Sequence, residues 1–368
     1  MLSNTGTSKV QQTIHHLSHI DLDGYSCQLV MKYTPYKITN YNANYGAEVK
    51  SKLEMILENI KHSKESALIL ITDLNLTADE SRWLNGEVIK MNDANKEVKI
   101  TLLDHHGSGE ESAKKYEWYY LDTSRCATKI TYDYVLENFE IDEPAWMNKY
   151  VNVVNAVDLW KQEEVENFEY GKVCMRLVTE TRELNRVMFA EEDGDYKISL
   201  LLEATKYLDE DNAAILLDEK IHSLKKEFFK VDKDNTLDNL ATKYIVGLLG
   251  SKRDQMTIYY KGYRGFLSYG VGNTSIIGNG FLLEYPEYDF IVDVSYRGTM
   301  SLRANNQVSV SQISKEWANG GGHPNAAGGR IMGFKEQFRY DKVKKQIEKI
   351  INDKEAVAGD LAYKKEEY

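Results

Sequence analysis

Three runs in this chain, two apolar and one partly apolar, each break off at an acidic residue. Residues 14–20 lead into Asp21-Leu22-Asp23-Gly24, residues 67–72 (ALILIT) into Asp73, and residues 97–103 (EVKITLL) into Asp104-His105-His106. Strand-like runs alternating with helical spacing, as at residues 53–60, mark an α/β domain with a mostly parallel sheet. In such a sheet ligands gather beyond the carboxyl ends of the strands. Acidic groups at three strand ends are therefore expected to meet on one edge. A fourth run, residues 151–157, precedes Asp158, and its asparagines leave strand and helix both open. A helix is expected to begin near Cys27.

At 368 residues the chain is long enough for two domains. The parallel-sheet domain is expected over 14–197 and a helical connector over 198–241. A smaller C-terminal α/β domain is expected over 242–352, where glycine becomes frequent and short runs recur at 256–260, 290–296 and 299–303. A closing helix is expected around Val343, Ile347 and Ile351, followed by a charged tail over 353–368.

The net charge of −11 disfavours binding to long duplex DNA, which rests on many Lys and Arg contacts with phosphates. It is compatible with an acidic cage that cations neutralise. Three widely spaced cysteines, with no Cys-x-x-Cys, argue against a disulfide framework. No run reaches the roughly 18 apolar residues a membrane helix needs, and the polar start lacks the pattern of a secretory signal. The expectation is a cytoplasmic protein with no membrane partner.

The acidic clusters have chemistry. On an extended chain, residues two apart face the same way, so His19, Asp21 and Asp23 can point into one cavity. Paired carboxylates repel, which favours a cation between them. An Asp-Gly turn after a strand is the alternative. Asp73 alone could equally be a turn or capping residue. Asp104-His105-His106 suits a metal ligand, a phosphate contact and an orienting carboxylate. With Asp158, the residues His19, Asp21, Asp23, Asp73 and His105 supply six imidazole and carboxylate ligands, enough for two metals. Oxygen and nitrogen donors without thiolate point to Mn²⁺, with Mg²⁺ or Co²⁺ as alternatives. Two metals about 3.5–4 Å apart can clamp a phosphoryl group. Further on, Gly320-Gly321-Gly322-His323 offers backbone N–H groups to a phosphate, and Arg303 and His323 add donors.

Asp-x-Asp-Gly, a strand-end Asp, Asp-His-His and a later Asp, in this order, resemble the four motifs of the DHH phosphoesterases. The stretch from Gly320 to Gly328 looks like the substrate-binding motif of the DHH-associated domain, and Ser301-Leu302-Arg303 like the strand before it. Val157-Asp158-Leu159-Trp160 is similar to the Asp-x-Trp of the NrnB-type oligoribonucleases (nanoRNases). The resemblance spans roughly residues 14–331. It implies that His19, Asp21 and Asp73 hold one metal. Asp23, Asp73, His105 and Asp158 would hold the other, with Asp73 bridging. It also implies that His106 contacts the scissile phosphate, with Asp104 orienting a histidine beside it. Arg303, Gly320, Gly321, Gly322 and His323 would bind substrate. The implied activity is two-metal hydrolysis of short single-stranded oligonucleotides to mononucleotides. A cyclic-dinucleotide or 3′-phosphoadenosine-5′-phosphate hydrolase, and a non-catalytic nucleotide sensor, are the alternatives. Oligomeric state stays open, a homodimer among the options.

Overall fold

Strand residues 66–72 have no exposed face. Ile69 and Ile71 sit in one apolar cluster and Leu68 and Leu70 in another, so the run is hydrophobic without alternation because both sides are covered. The computed structural model describes residues 12–363, and the side chains of residues 12–353. These residues fall into two compact units, one running to Thr181 and including Gly194–Leu224, the other holding Arg182–Asp193 and everything from Lys225.

The first unit contains β1 (Gln12–Ser18), α1 (Leu22–Met31), β2 (Lys37–Asn42), α2 (Ala47–His62), β3 (Ser66–Thr72), α3 (Ala78–Asp93), β4 (Val98–Asp104), α4 (Glu110–Lys115), β5 (Tyr119–Leu121), α5 (Ala127–Asn138), α6 (Met147–Asp158) and α7 (Phe168–Glu180). Its sheet has the order β2-β1-β3-β4-β5, and every pairing is parallel. Val49, Leu53 and Ile56 of α2 and Leu84 and Val88 of α3 cover one face. Val30 and Met31 of α1, Ile130 and Val135 of α5, and Val151 of α6 cover the other. The chain leaves β1 in one direction to reach β2, then crosses back to β3. That reversal opens a crevice past the ends of β1 and β3, where ligands bind in doubly wound sheets.

Two local expectations change. Helix α1 begins at Leu22 rather than near Cys27, because the Asp21 side chain accepts a bond from Gly24 N–H and caps it. His19, Asp21 and Asp23 therefore do not alternate along one strand. They sit on a loop, a cap and a first helical turn. Residues 151–157 belong to helix α6, with Tyr150, Val151, Val153, Val154, Ala156 and Val157 buried and Asn152 and Asn155 on the less buried stripe.

Residues 198–241 are largely helical and are divided between the units. Helices α8 (Ala190–Ala204) and α9 (Ala213–Phe229) cross the boundary, and α10 (Leu237–Ser251) lies in the second unit. That unit continues with α11 (Arg253–Met256), β6 (Thr257–Tyr260), β7 (Tyr263–Tyr269), α12 (Thr274–Glu284), β8 (Phe290–Val294), β9 (Thr299–Ala304), α13 (Val310–Ala318), β10 (Gly321–His323), β11 (Ala326–Arg330) and α14 (Tyr340–Tyr363). Its mixed sheet runs β10-β11-β9-β8-β7-β6, with β7 and β8 parallel and the other pairs antiparallel. Phe266 packs on Phe281 of α12, and Phe290 on Trp317 of α13. Helix α14 continues past Asp353, where the charged tail was expected to begin. Residues 364–368 of that tail lie outside the described residues. No helix among the described residues is long and apolar enough to cross a membrane.

Candidate active site

The ends of β1, β3 and β4 and the C-terminus of α6 bring six sequence-selected residues together in the first unit. Ligand atoms of His19, Asp21 and Asp73 lie within 4.8 Å of one another, as do those of Asp23, His105 and Asp158, and those of Asp73, His105 and His106. His105 is central to this cluster. Its Nε2 is 3.4 Å from Asp73 Oδ1 and 3.7 Å from both Asp23 Oδ2 and Asp158 Oδ2.

Each residue is held by its own local device. Asp21 receives Nδ1 of His19 at 2.8 Å on one oxygen and Gly24 N–H on the other. Gly24 is required here, since a Cβ would stand 2.4 Å from the His19 carbonyl oxygen. Asp23 is buried, and its two oxygens accept the N–H groups of Ala127 and Thr128 at 2.8 Å each, capping α5. That reinforcement ties the first turn of α1 to α5 and fixes the carboxylate's direction. Asp73 adopts a left-handed backbone, φ +56°, directly after β3. Asp tolerates this region better than a bulky residue, and the turn sends its carboxylate into the cluster. The role of capping α3 falls to Thr77, which forms a capping box with Glu80.

The electrostatics are those of an anion-rich pocket. Burial, then the charges of Asp23 and Asp21, drive the Asp73 carboxyl well above its ordinary range. Burial and Asp23 push Asp158 up to about 7, against the opposing pull of His105. Burial would lower His19, but its hydrogen bond with Asp21 and the nearby Asp73 carry it up to about 10. Asp73 Oδ2 is buried and has no hydrogen-bond partner among the described residues. A buried carboxylate oxygen without a hydrogen bond, with only His19 Nδ1 facing it at 3.6 Å and further carboxylates around it, is what a divalent cation would satisfy. The residues present thus fit a divalent metal. Thiolate ligation does not compete, because burial holds the Cys27 and Cys126 thiols well above their usual range.

Asp104 and His106 form a second arrangement beside the cluster. His106 Nδ1 is 2.7 Å from Asp104 Oδ1, and Tyr119 donates its hydroxyl to Asp104 Oδ2 at 2.9 Å. An ionised carboxylate only accepts, so Nδ1 of His106 is the donor in this pair. Tyr45, on the loop after β2, places its hydroxyl 3.0 Å from His106 Nε2 and its ring 4.7 Å from that of His19. Burial and the surrounding aspartates raise its phenol well above the usual value, so it stays protonated. Tyr45 and Tyr119 escaped sequence reasoning. Tyr45 follows a polar, poorly strand-like run, KITNYN, and Tyr119 lies on a three-residue strand. His15 and His16 do not join the cluster. His15 faces Tyr41, and buried His16 bonds Thr72. Trp160, next to Asp158 but one, is exposed and in the left-handed region, φ +56°.

The glycine-rich segment is a β-hairpin in the second unit. Register pairs Arg303 with Ala326 and Ala326 with His323, which puts Arg303 and His323 in one cross-strand row. Arg303 is steadied by Ser275 Oγ at 2.5 Å and the Leu302 carbonyl at 2.7 Å. Gly321, Gly322 and His323 are exposed and Gly320 is half-buried. A Cβ on Gly320 would stand 2.2 Å from the Gly328 carbonyl oxygen.

No family model matches the chain. Individual relatives do. The chain is 45% identical over 345 residues to a 3′,5′-cyclic-nucleotide phosphodiesterase of Helicobacter pylori, covering 92% of this chain and 99% of the relative. It is 26% identical over 364 residues to the oligoribonuclease NrnB of Bacillus subtilis, covering 94% of this chain and 82% of that one. The crystal structure of an uncharacterized protein from Helicobacter pylori G27 matches with a TM-score of 0.87 at 45% identity, over 93% of this chain and 99% of that chain. With 45% identity to a phosphodiesterase over almost its whole length, and with Asp-x-Asp-Gly, the strand-end Asp73, Asp-His-His and Asp158 in one cluster, the chain belongs to the DHH family of phosphoesterases.

Proposed function

We propose that the chain is a divalent-metal-dependent phosphodiesterase that shortens small oligonucleotides to mononucleotides. The observation that carries this is the meeting of four carboxylates, Asp21, Asp23, Asp73 and Asp158, with the imidazoles of His19 and His105, the buried Oδ2 of Asp73 having no hydrogen-bond partner among the described residues. His19, Asp21 and Asp73 would hold one ion, and Asp23, His105 and Asp158 a second, with Asp73 shared. Once bound, the ions would supply Lewis acidity toward the phosphoryl oxygens and lower the pKa of an attacking water. Oxygen and nitrogen donors favour Mn²⁺, with Mg²⁺ and Co²⁺ as the alternatives.

The protein's own groups do the rest. His106 would donate Nε2–H to a phosphoryl oxygen as the doubly protonated ring, and Asp104 keeps that ring in orientation by accepting Nδ1–H. Tyr119 fixes Asp104 in turn. Arg303, His323 and the backbone N–H groups of Gly320, Gly321 and Gly322 would bind the terminal nucleotide. The similarity to NrnB supports short oligonucleotides as substrate. A reducing, cytoplasmic setting agrees with three buried free cysteines.

A second reading has its own support. The relative of 45% identity is a 3′,5′-cyclic-nucleotide phosphodiesterase, and the same metal cluster would serve a cyclic phosphodiester. A time course separates the two. Purified protein with Mn²⁺ is given end-labelled RNA and DNA oligomers alongside 3′,5′-cyclic nucleotides and cyclic dinucleotides. Stepwise mononucleotide release, fastest on the shortest oligomers and abolished by EDTA, is expected. Turnover confined to cyclic substrates would move the reading to the second, and no turnover of any of them would end both.

A further inference from the structure

Tyr45 is 41% exposed, yet both ends of its side chain rest on the cluster. Its ring lies against His19, and its hydroxyl stands 3.0 Å from His106 Nε2 and 3.5 Å from Nδ1. Similar distances to both nitrogens put the hydroxyl over the imidazole, off the in-plane axis of Nε2, so that axis stays open. Asp104 already occupies Nδ1. The Tyr45 hydroxyl and His106 Nε2 are thus two neighbouring polar groups, and an oxygen tilted from that axis toward the hydroxyl can reach both. The loop that delivers Tyr45 is itself fastened. Asn44 Oδ1 accepts Tyr45 N–H, and Glu48 Oε2 accepts Asn44 N–H, each at 2.9 Å.

We propose that Tyr45 is a catalytic residue, donating its phenolic O–H to the phosphoryl group under attack and converging with His106 on one non-bridging oxygen. This rests on the phosphodiesterase reading. A neutral phenol meeting an anionic oxygen makes a charge-assisted hydrogen bond, stronger than the contact it makes in the free protein. No atom other than that proton is engaged, and no bond is broken by Tyr45.

The test uses the full chain loaded with Mn²⁺, comparing Tyr45→Phe with wild type and with His106→Ala. Phe keeps the ring on His19 and removes only the donor. Three quantities are read: kcat and KM on a dinucleotide, affinity for adenosine 5′-monophosphate by calorimetry, and the melting shift caused by Mn²⁺. Tyr45→Phe is expected to lower kcat roughly ten- to hundredfold and to weaken the mononucleotide several-fold, with the Mn²⁺ shift unchanged. A variant within twofold of wild type in both kcat and mononucleotide affinity overturns the assignment. So does loss of the Mn²⁺ shift, which would make the hydroxyl part of the fold of the cluster. If wild type turns over no phosphodiester, the functional reading fails separately. The mononucleotide titration then still decides: weaker binding by Tyr45→Phe keeps the donor, and equal or absent binding removes it.

Discussion

Oδ1 of Asp73 stands 3.4 Å from Nε2 of His105, which joins the ends of two neighbouring parallel strands, β3 and β4. Asp73 reaches that position through a left-handed backbone and at the cost of burying a carboxylate beside Asp21 and Asp23. Structure that raises the free energy of the empty site and is relieved by a cation is a recurrent property of metal centres.

Asp73→Asn separates stability from function. The amide keeps the shape and removes the buried repulsion, so the metal-free variant should melt above metal-free wild type. It should gain little from Mn²⁺, and its turnover should fall by more than the roughly 10–100-fold typical of groups that only orient ligands. Paired melting curves with and without Mn²⁺, plus the oligonucleotide assay, check both halves. A variant as responsive to Mn²⁺ as wild type would remove Asp73 from the ligand set.

The metal-free protein should lose stability as pH rises above 6.5. His19 is raised to about 10, so its contribution is complete below 6.5 and is lost as pH climbs through about 10. Asp158, raised to about 7, adds a loss that begins near its ordinary value and ends near 7. Buried His16, lowered to about 3, acts oppositely: its contribution is present above 6.5 and lost as pH falls toward 3. Below 6.5 these effects oppose each other; above it the loss dominates. Melting temperatures of EDTA-treated protein between pH 6.5 and 9 should decline, and Mn²⁺ should flatten the profile.

Tyr119→Phe removes the donor from Asp104 Oδ2, leaving a fully buried carboxylate oxygen without that bond. Stability should drop by about 1–3 kcal/mol. With Asp104 less fixed, His106 loses its orientation, and kcat should fall roughly 10–100-fold with KM nearly unchanged. Steady-state kinetics on a dinucleotide reads the split.

Two neighbouring glycines should respond differently. Gly322 has φ +144°, and a Cβ there would stand 2.5 Å from the Ala326 carbonyl oxygen and 2.7 Å from Ala327 Cα. Gly321 has open space. Gly322→Ala should therefore distort the hairpin and raise KM, whereas Gly321→Ala should leave the fold intact. Equal KM values for both variants would detach the hairpin from substrate binding.

The first unit of the fold was largely legible because apolar runs buried on both faces end in acids, as at Thr72–Asp73 and Leu103–Asp104. Asp158 was found as a residue but not as a helix terminus, since buried Val151, Val153 and Val154 fit either periodicity until Tyr150 and Ala156 are seen buried with them. The α1 boundary was misjudged because the Asp21 cap looks, in sequence, like a ligand alone. Tyr45 and Tyr119 were invisible for a different reason. Their importance lies in contacts 61 and 15 residues away, and no local pattern records such contacts. The glycine run is visible in the sequence, and a binding role is expected for it, but its hairpin register with β9 depends on pairing between distant strands.

Crystals of the protein soaked in Mn²⁺ and measured at the manganese absorption edge give the most direct test of the centre. Two anomalous peaks about 3.5–4 Å apart are expected, with Asp73 contacting both, His19 and Asp21 on one, and Asp23, His105 and Asp158 on the other. A single peak away from Asp73, or none at this cluster while the protein hydrolyses phosphodiesters, would contradict it.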